Sequence, residues 1–260
     1  MRSAIWLART MRHCVRDGRK LRSFDLLPDE APALGLHRLA PRLTAEEMIR
    51  CYRTGYFPLA DLPDPRFVQL VSPAARAIIP VSGFQAPSRL LRTVRTAPYE
   101  VRFDSDIARV VALCGELADN RRETWLSAPL QRLYLELAGR GVAHTVEIWD
   151  NGALVGGLFG IAVGGAFCGE SMVSRVRDGS KIAMVHLSRR LAAEGFDFID
   201  CQYMSPHLKQ FGAIELSRAD YERRLAAALE MPVGFDGFRA EAAARTFRDE
   251  SGELGVAGCV

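Results

Sequence analysis

The sequence predicts an α+β protein in which a small N-terminal unit precedes a larger domain, itself an antiparallel meander that runs into one βαβ crossover. Three observations predict it. Residues 144–173 hold three β-like runs separated by Asn151-Gly152 and Gly164-Gly165, and Asn-Gly between apolar runs is a strong hairpin signal. A helical pattern over 180–194 and an apolar run over 196–203 follow directly. Strand, helix and strand in that order close as a right-handed crossover. The composition agrees: 260 residues, 48% apolar and 25% charged, which excludes wholesale disorder, collagen and coiled coil and allows one or two domains with a real core.

Taken in order, the first 22 residues carry Arg2, Arg9, Arg12, Arg16, Arg19, Lys20 and Arg22 but no apolar h-region, so they read as a frayed basic extension rather than a secretory signal. Residues 23–42, with Pro28, Pro32 and Pro41, read as an irregular lead-in. Thr44 and Glu47 have the spacing of a capping box ahead of a helix over 45–54, whose Met48, Ile49 and Tyr52 recur at helical spacing and which Gly55 ends. Pro58, Pro63, Pro65 and Pro73 mark a turn-heavy stretch with β-like pieces at 67–71 and 76–80. The expected organisation is an extension over 1–42, a small α+β domain over 43–85, a larger domain over 86–232 and a loose Gly- and Ala-rich tail over 233–260.

Within the larger domain, 86–97 reads as a helix with Arg89, Arg92 and Arg95 on one face. That face is either solvated surface or a phosphate-binding stripe. Tyr99, Val101 and Phe103 alternate as a strand, and Asp104 or Ser105 begins a helix that turns Ile107, Val110, Val111 and Leu113 inward. Ser127 caps a further helix with Pro129 in its first turn and Leu130, Leu133, Tyr134 and Leu137 as its apolar stripe. The meander strands fall at 144–149, 154–163 and 166–173; Gly195 closes the crossover helix, and Ser217 caps a last helix over 218–229. A meander feeding a βαβ unit is the layout of the GNAT-type acyltransferase core.

Several chemistries are excluded or weakened. Thirty-four Lys and Arg against 31 Asp and Glu give a net charge of +3, too little for a basic coat protein but compatible with a local basic face. The six cysteines are never closer than 33 residues apart, so they form neither C-x-x-C spacing nor a disulfide framework and read as free thiols in a reducing cytoplasm. His144, His186 and His207 lack ligand spacing, so no metal is expected. A Cys201–His207 nucleophile pair would have no supporting motif. No apolar run approaches the length of a membrane span. Gly156-Gly157 and Gly164-Gly165 lie within or between strands rather than at a strand-to-helix turn, so they are not phosphate loops.

The informative residues are acids in apolar strands. Asp200 ends the run Phe196-Asp197-Phe198-Ile199-Asp200, and strand alternation puts Gln202 on its face. Glu170 interrupts Phe167-Cys168-Gly169-Glu170-Ser171-Met172. Burying such groups without partners costs several kcal/mol, on the order of 2–7 even for a neutral polar group, so both acids are candidates for a common cleft. Leu158, Phe167, Met172, Met184 and Leu187 surround them as core or as pocket wall.

Six segments carry a family resemblance. Tyr52-Arg53-Thr54-Gly55-Tyr56-Phe57-Pro58 resembles the Y-x-x-G-x-F-P signature of leucyl/phenylalanyl-tRNA–protein transferases. Thr124-Trp125-Leu126 resembles their T-W-I segment, and His144-Thr145-Val146-Glu147-Ile148-Trp149 their H-S-x-E-x-W strand. Val155-Gly156-Gly157-Leu158-Phe159-Gly160, Phe167-Cys168-Gly169-Glu170-Ser171-Met172-Val173-Ser174-Arg175 and Ile199-Asp200-Cys201-Gln202 complete the series in order, across about residues 43–229.

The resemblance implies a monomeric cytoplasmic aminoacyltransferase with a GNAT-like domain and a splayed sheet. It would use Leu-tRNA and Phe-tRNA as donors, and Met is a further candidate donor residue. Acceptors would be proteins with N-terminal Arg or Lys, which the added residue marks for proteolysis. No cofactor, metal or membrane is implied. By the same resemblance Asp200 orients Gln202, which handles the incoming α-amine, and Glu170 binds the acceptor's basic residue or its amine. The donor pocket maps onto Leu158, Phe167, Met172, Met184, Leu187 and Ile199. Trp125 lies near the 3′-terminal adenosine, and Arg89, Arg92 and Arg95 meet the acceptor stem. Ile199 alternates away from Asp200, so both serve one site only where the sheet splays. Leu70-Val71 stands before Ser72-Pro73 where family members often have Trp-Trp, which removes aromatic stacking at that point. Two other readings stay open: a GNAT-fold enzyme using acyl-CoA or another aminoacyl-tRNA, and an inactive tRNA-binding module.

Overall fold

Thr44 opens the first helix by the expected reciprocal bonding: the Glu47 amide donates to Thr44 Oγ1 at 3.2 Å and the Thr44 amide to Glu47 Oε2 at 2.9 Å. This helix, α1 (Ala45–Arg53), buries Met48, Cys51 and Tyr52. The computed structural model describes residues 36–40, 43–59, 68–116 and 124–235; the basic extension over 1–22 and most of the tail over 233–260 lie outside these. Strands β1 (Leu36–Ala40), β2 (Phe57–Leu59) and β3 (Val68–Ser72) form a three-stranded antiparallel sheet in the order β1-β3-β2.

Beyond it the chain builds β4 (Ala75–Pro80), α2 (Ser88–Thr96), β5 (Glu100–Phe103), α3 (Ile107–Gly115) and α4 (Ala128–Gly139). The meander follows as β6 (Ala143–Asp150), β7 (Ala153–Val163) and β8 (Ala166–Ser174). Asn151 and Gly152 turn between β6 and β7 with φ of 47° and 79°, the left-handed pair that a tight hairpin requires. The chain ends its described course with α5 (Gly179–Ala193), β9 (Phe198–Gln202), the single turn α6 (Pro206–Lys209), β10 (Ile214–Ser217) and α7 (Arg218–Leu229). A seven-stranded sheet runs β10-β4-β9-β8-β7-β6-β5. Among the described strands only β8 and β9 pair in parallel, as the β8-α5-β9 crossover demands.

The fold is α+β, as expected, but four details differ from the sequence reading. The lead-in contains β1, which pairs with β3. The piece at 76–80, read as part of the small unit, lies inside the large sheet between β10 and β9. Strand β10 has no clear alternating signature in the sequence. Helix α3 is capped by Asp106, whose Oδ1 accepts the Arg109 amide at 3.0 Å. Asp104 and Ser105 are engaged elsewhere: Asp104 Oδ1 accepts the Thr145 amide and Ser105 Oγ donates to Glu147.

Two buried clusters fill the two faces of the large sheet. One joins β-residues such as Phe159, Cys168 and Phe198 to α1, α3, α4 and α7. The other joins Leu158, Phe167 and Ile199 to α5, and the segment after α7 docks Phe235 into it. Strand alternation separates neighbours such as Phe198 and Ile199 onto opposite faces.

Candidate active site

The site opens where β8 and β9 part. Their ladder runs Ala166↔Phe198, Phe167↔Ile199, Cys168↔Asp200 and stops. Each strand carries an extra residue at that level. Phe159 faces Ser171 while Gly160 faces Gly169, which leaves Glu170 as the bulged residue of β8. Ile78 faces Asp200 while Ala77 faces Gln202, which leaves Cys201 as the bulged residue of β9. Bulges re-aim side chains and end pairing, and here they frame a cavity of about 280 Å³. Leu158, Met172, Met184, Leu187, Ile199 and Leu208 supply its apolar wall, and Glu170, Cys201 and Gln202 also line it.

Phe167 lies outside that lining. One rung before the strands part, it is fully buried and packs against Phe235 with ring centroids 5.8 Å apart. Trp125 also lies outside, half-buried and edge-on to Tyr134 at 6.4 Å. Arg89, Arg92 and Arg95 are exposed along α2, while Leu90 of the same helix is buried.

Asp200 is sealed from solvent, and both carboxylate oxygens are doubly engaged. Oδ1 accepts Arg76 Nε at 2.8 Å and the Gln202 amide at 2.9 Å; Oδ2 accepts Arg76 Nη2 at 2.6 Å and the Tyr221 hydroxyl at 2.7 Å. The Arg76 guanidinium lies between the rings of Phe57 and Tyr221, 4.6 Å from each centroid, and its Nη1 donates to the Gly55 carbonyl. Burial works against its charge, but Asp200 and then Tyr221 hold its pKa above the usual arginine range. This is a bidentate ion pair with every strong acceptor direction filled, the condition under which a buried pair is tolerated.

Gln202 departs from the alternation expected of a strand. Its φ is +64°, a left-handed conformation that costs a non-glycine residue on the order of 1 kcal/mol or more. The bulge at Cys201 and this twist send its side chain across the gap, where Nε2 donates to the Gly169 carbonyl at 3.2 Å and to Glu170 Oε1 at 3.3 Å. Asp200 therefore holds Gln202 through its backbone N–H rather than its side chain.

Glu170 closes the constellation. Its Oε2 accepts the Tyr134 hydroxyl at 2.7 Å, and the Tyr52 hydroxyl lies 2.9 Å from that of Tyr134. Burial pushes its pKa up to about 7, against the hydroxyls of Tyr134 and Tyr52, which favour the carboxylate. Burial holds the Cys201 thiol well above its ordinary range, so it is no nucleophile. Among the described residues no group of three or more His, Cys, Asp or Glu could hold a metal ion, and no helix is long and apolar enough to cross a membrane.

Sequence reasoning missed Arg76, Tyr221, Tyr52 and Tyr134. One signal was present. Arg76 sits in the apolar run Ala75-Arg76-Ala77-Ile78-Ile79, and a cation in such a strand requires a buried acid. Tyr52 and Tyr134 read as helix-face apolar residues, Tyr221 carries no signal in the sequence, and only their hydroxyl partners reveal more.

Residues 78–226 match the family described as leucyl/phenylalanyl-tRNA protein transferase. A leucyl/phenylalanyl-tRNA–protein transferase of Caulobacter vibrioides is 48% identical over 199 residues, covering 76% of this chain and 92% of that protein. One of Phenylobacterium zucineum is 49% identical over 191 residues, covering 74% and 86%. One of Hyphomonas neptunium is 48% identical over 199 residues, covering 76% and 77%. Among solved structures, L-PGS from Bacillus licheniformis aligns at 13% identity with a TM-score of 0.37, over 66% of this chain and 57% of that one. With the family matched across the strands that frame the cavity, and with three such relatives each covering about three quarters of its length, the chain belongs to the leucyl/phenylalanyl-tRNA–protein transferase family, the aminoacyltransferases.

Proposed function

We propose that this aminoacyltransferase moves Leu or Phe from its tRNA to the α-amino group of cytoplasmic proteins beginning with Arg or Lys, which marks them for proteolysis. The observation that carries the reading is the apolar cavity of about 280 Å³ with Gln202 and Glu170 in its lining. Met172, Met184, Leu187 and Ile199 suit a bulky apolar side chain and offer a polar one no partner. The ester of an aminoacyl-tRNA is already activated, so amine attack needs mainly positioning and charge stabilisation, which calls for neither a metal nor another cofactor. Gln202 orients the acceptor nitrogen beside that ester. Asp200, held by Arg76 and Tyr221, fixes the backbone turn that points Gln202 there. Glu170 favours an acceptor that brings positive charge. Trp125 and the exposed Arg89, Arg92 and Arg95 serve the tRNA, the former at its 3′ end and the latter along its phosphates.

The test is transfer of labelled Leu from leucyl-tRNA to peptides starting with Arg, Lys, Asp or Glu. Product is expected with the first two. Gln202→Ala is expected to lower kcat/KM about 100-fold, the scale of losing a positioned group, with an unchanged circular dichroism spectrum. No product from the folded wild type, or a wild-type rate in Gln202→Ala, would remove the reading or that assignment respectively.

A further inference from the structure

We propose that Glu170 is the general base of the reaction: it takes the proton from the acceptor's α-ammonium, so that the free amine can attack the bound ester. The proposal deepens the transferase reading above and rests on it. The residues lining the cavity include only three titratable side chains: Glu170, Asp200 and Cys201. Asp200 accepts two hydrogen bonds on each oxygen and has no exposed surface, so no substrate nitrogen reaches it. The Cys201 thiol is held protonated by burial, and a glutamine amide takes up no proton near neutrality.

Glu170 differs in geometry. Its Oε2 is committed to Tyr134, while Oε1 faces Gln202 of the cavity lining and takes the long 3.3 Å approach of its Nε2; a carboxylate oxygen has two lone-pair directions. Oε1 therefore stands beside the amide that would orient the acceptor nitrogen. The groups facing Glu170 are Tyr52 from α1, Tyr134 from α4, Arg76 from β4, Asp200 from β9 and Cys168 on its own strand. Burial raises its pKa to about 7; Tyr134, Tyr52 and Arg76 pull it down and Asp200 pushes it up. A base works best with a pKa near the working pH.

The step balances. The α-ammonium gives one proton to Glu170 Oε1 and its nitrogen attacks the ester carbonyl, forming the C–N bond. The tetrahedral species expels the ribose oxygen, which takes the second proton from the nitrogen as the C–O bond breaks. Glu170 then releases its proton to water, so one proton appears in solution per amide formed.

The experiment is the pH dependence of kcat for transfer from leucyl-tRNA to an Arg-initiated peptide, with both substrates saturating. Wild-type kcat is expected to rise with pH through one group near 7. That limb is expected to stay in place when the peptide's α-amine is made less basic. Glu170→Gln is expected to lose the limb and lower kcat about 10²–10⁴-fold at saturating peptide, beyond any rise in the peptide's KM from the lost charge. Tyr134→Phe removes a hydroxyl that favours the carboxylate and is expected to move the limb up by about 0.4–1 pH unit. It decides the matter if Glu170→Gln does not fold. A Glu170→Gln enzyme that keeps the limb, or that raises KM without lowering kcat, overturns the proposal and leaves Glu170 a binding group. A limb that follows the peptide's amine, or that Tyr134→Phe does not move, also overturns it. Absence of transfer by the wild type would instead refute the transferase reading and take this proposal with it.

Discussion

Glu170 carries its pKa of about 7 into the stability of the protein as well as into its chemistry. An unfolded glutamate titrates near about 4.3, so between that pH and 7 the folded protein holds a proton that the unfolded chain has lost. The folded state is therefore favoured below about 4.3, loses that advantage as pH rises through 7, and stays at the lower level above it. Glu170→Gln keeps the shape and removes the charge. In urea unfolding at pH 8 it is expected to be more stable than wild type by on the order of 1–3 kcal/mol, with the difference shrinking towards pH 5. An equal or lower stability at pH 8 would mean that the carboxylate is better solvated than its burial indicates. At this scale the sequence was half legible. Acids in apolar strands marked Glu170 and Asp200, because an unpaired buried charge has no bland explanation. Their partners Arg76, Tyr52, Tyr134 and Tyr221 arrive from four other elements, and nothing local in the chain connects them.

The walls of the cavity depend on how closely α5 sits on the sheet. Gly156 of β7 faces the start of α5, and a Cβ there would stand 2.7 Å from the Gly179 carbonyl carbon and 2.8 Å from its Cα. Both neighbours are backbone, so the helix must move. Gly156→Ala is expected to cost about 1–3 kcal/mol in urea unfolding and to alter the ratio of Leu to Phe transfer, because Met184 and Leu187 ride on the displaced helix. The glycine pair that reads in the sequence as merely not a phosphate loop is thus a place of close backbone approach. Two helix caps were legible: Thr44 and Ser217 accept the expected amides, at 3.2 Å each; α3 is capped by Asp106 instead of Asp104 or Ser105, and Ser127 begins α4 without a side-chain cap bond. The meander was legible from its turns. Strands β1 and β10 were not, because short strands at sheet edges owe their conformation to a distant partner rather than to their own pattern. For β10, Ile214, Glu215 and Ser217 are exposed, so no buried face marks it.

At the scale of the molecule, the chain carries a net charge of only +3, and its fit to a nucleic acid depends on where charge gathers. Arg89, Arg92 and Arg95 gather it on the exposed side of α2. Replacing all three by Ala is expected to weaken tRNA binding at low salt and to reduce the slope of log K against log salt by about 0.7–0.9 for each phosphate no longer neutralised. An unchanged slope, measured by filter binding across a salt series, would move the tRNA to another face. The order of motifs along the chain showed the family; it did not show that the small and large sheets share one turn at Pro73 and Ala74, since adjacency in space between 75–80 and 198–202 leaves no local mark.

The clasp around Asp200 has a consequence for biosynthesis. Arg76 is made 124 residues before the carboxylate it pairs with, and Tyr221, the other side chain bonded to that carboxylate, comes later still. A nascent chain leaving the ribosome thus carries an unmatched guanidinium and an open β4 margin while more than a hundred further residues are made, and only the arrival of β9, β10 and α7 closes both. Long-range strand pairing of this kind is slow and exposes intermediates to aggregation. Truncated products lacking α7 are therefore expected to be inert, so the enzyme becomes competent only after α7 has been made.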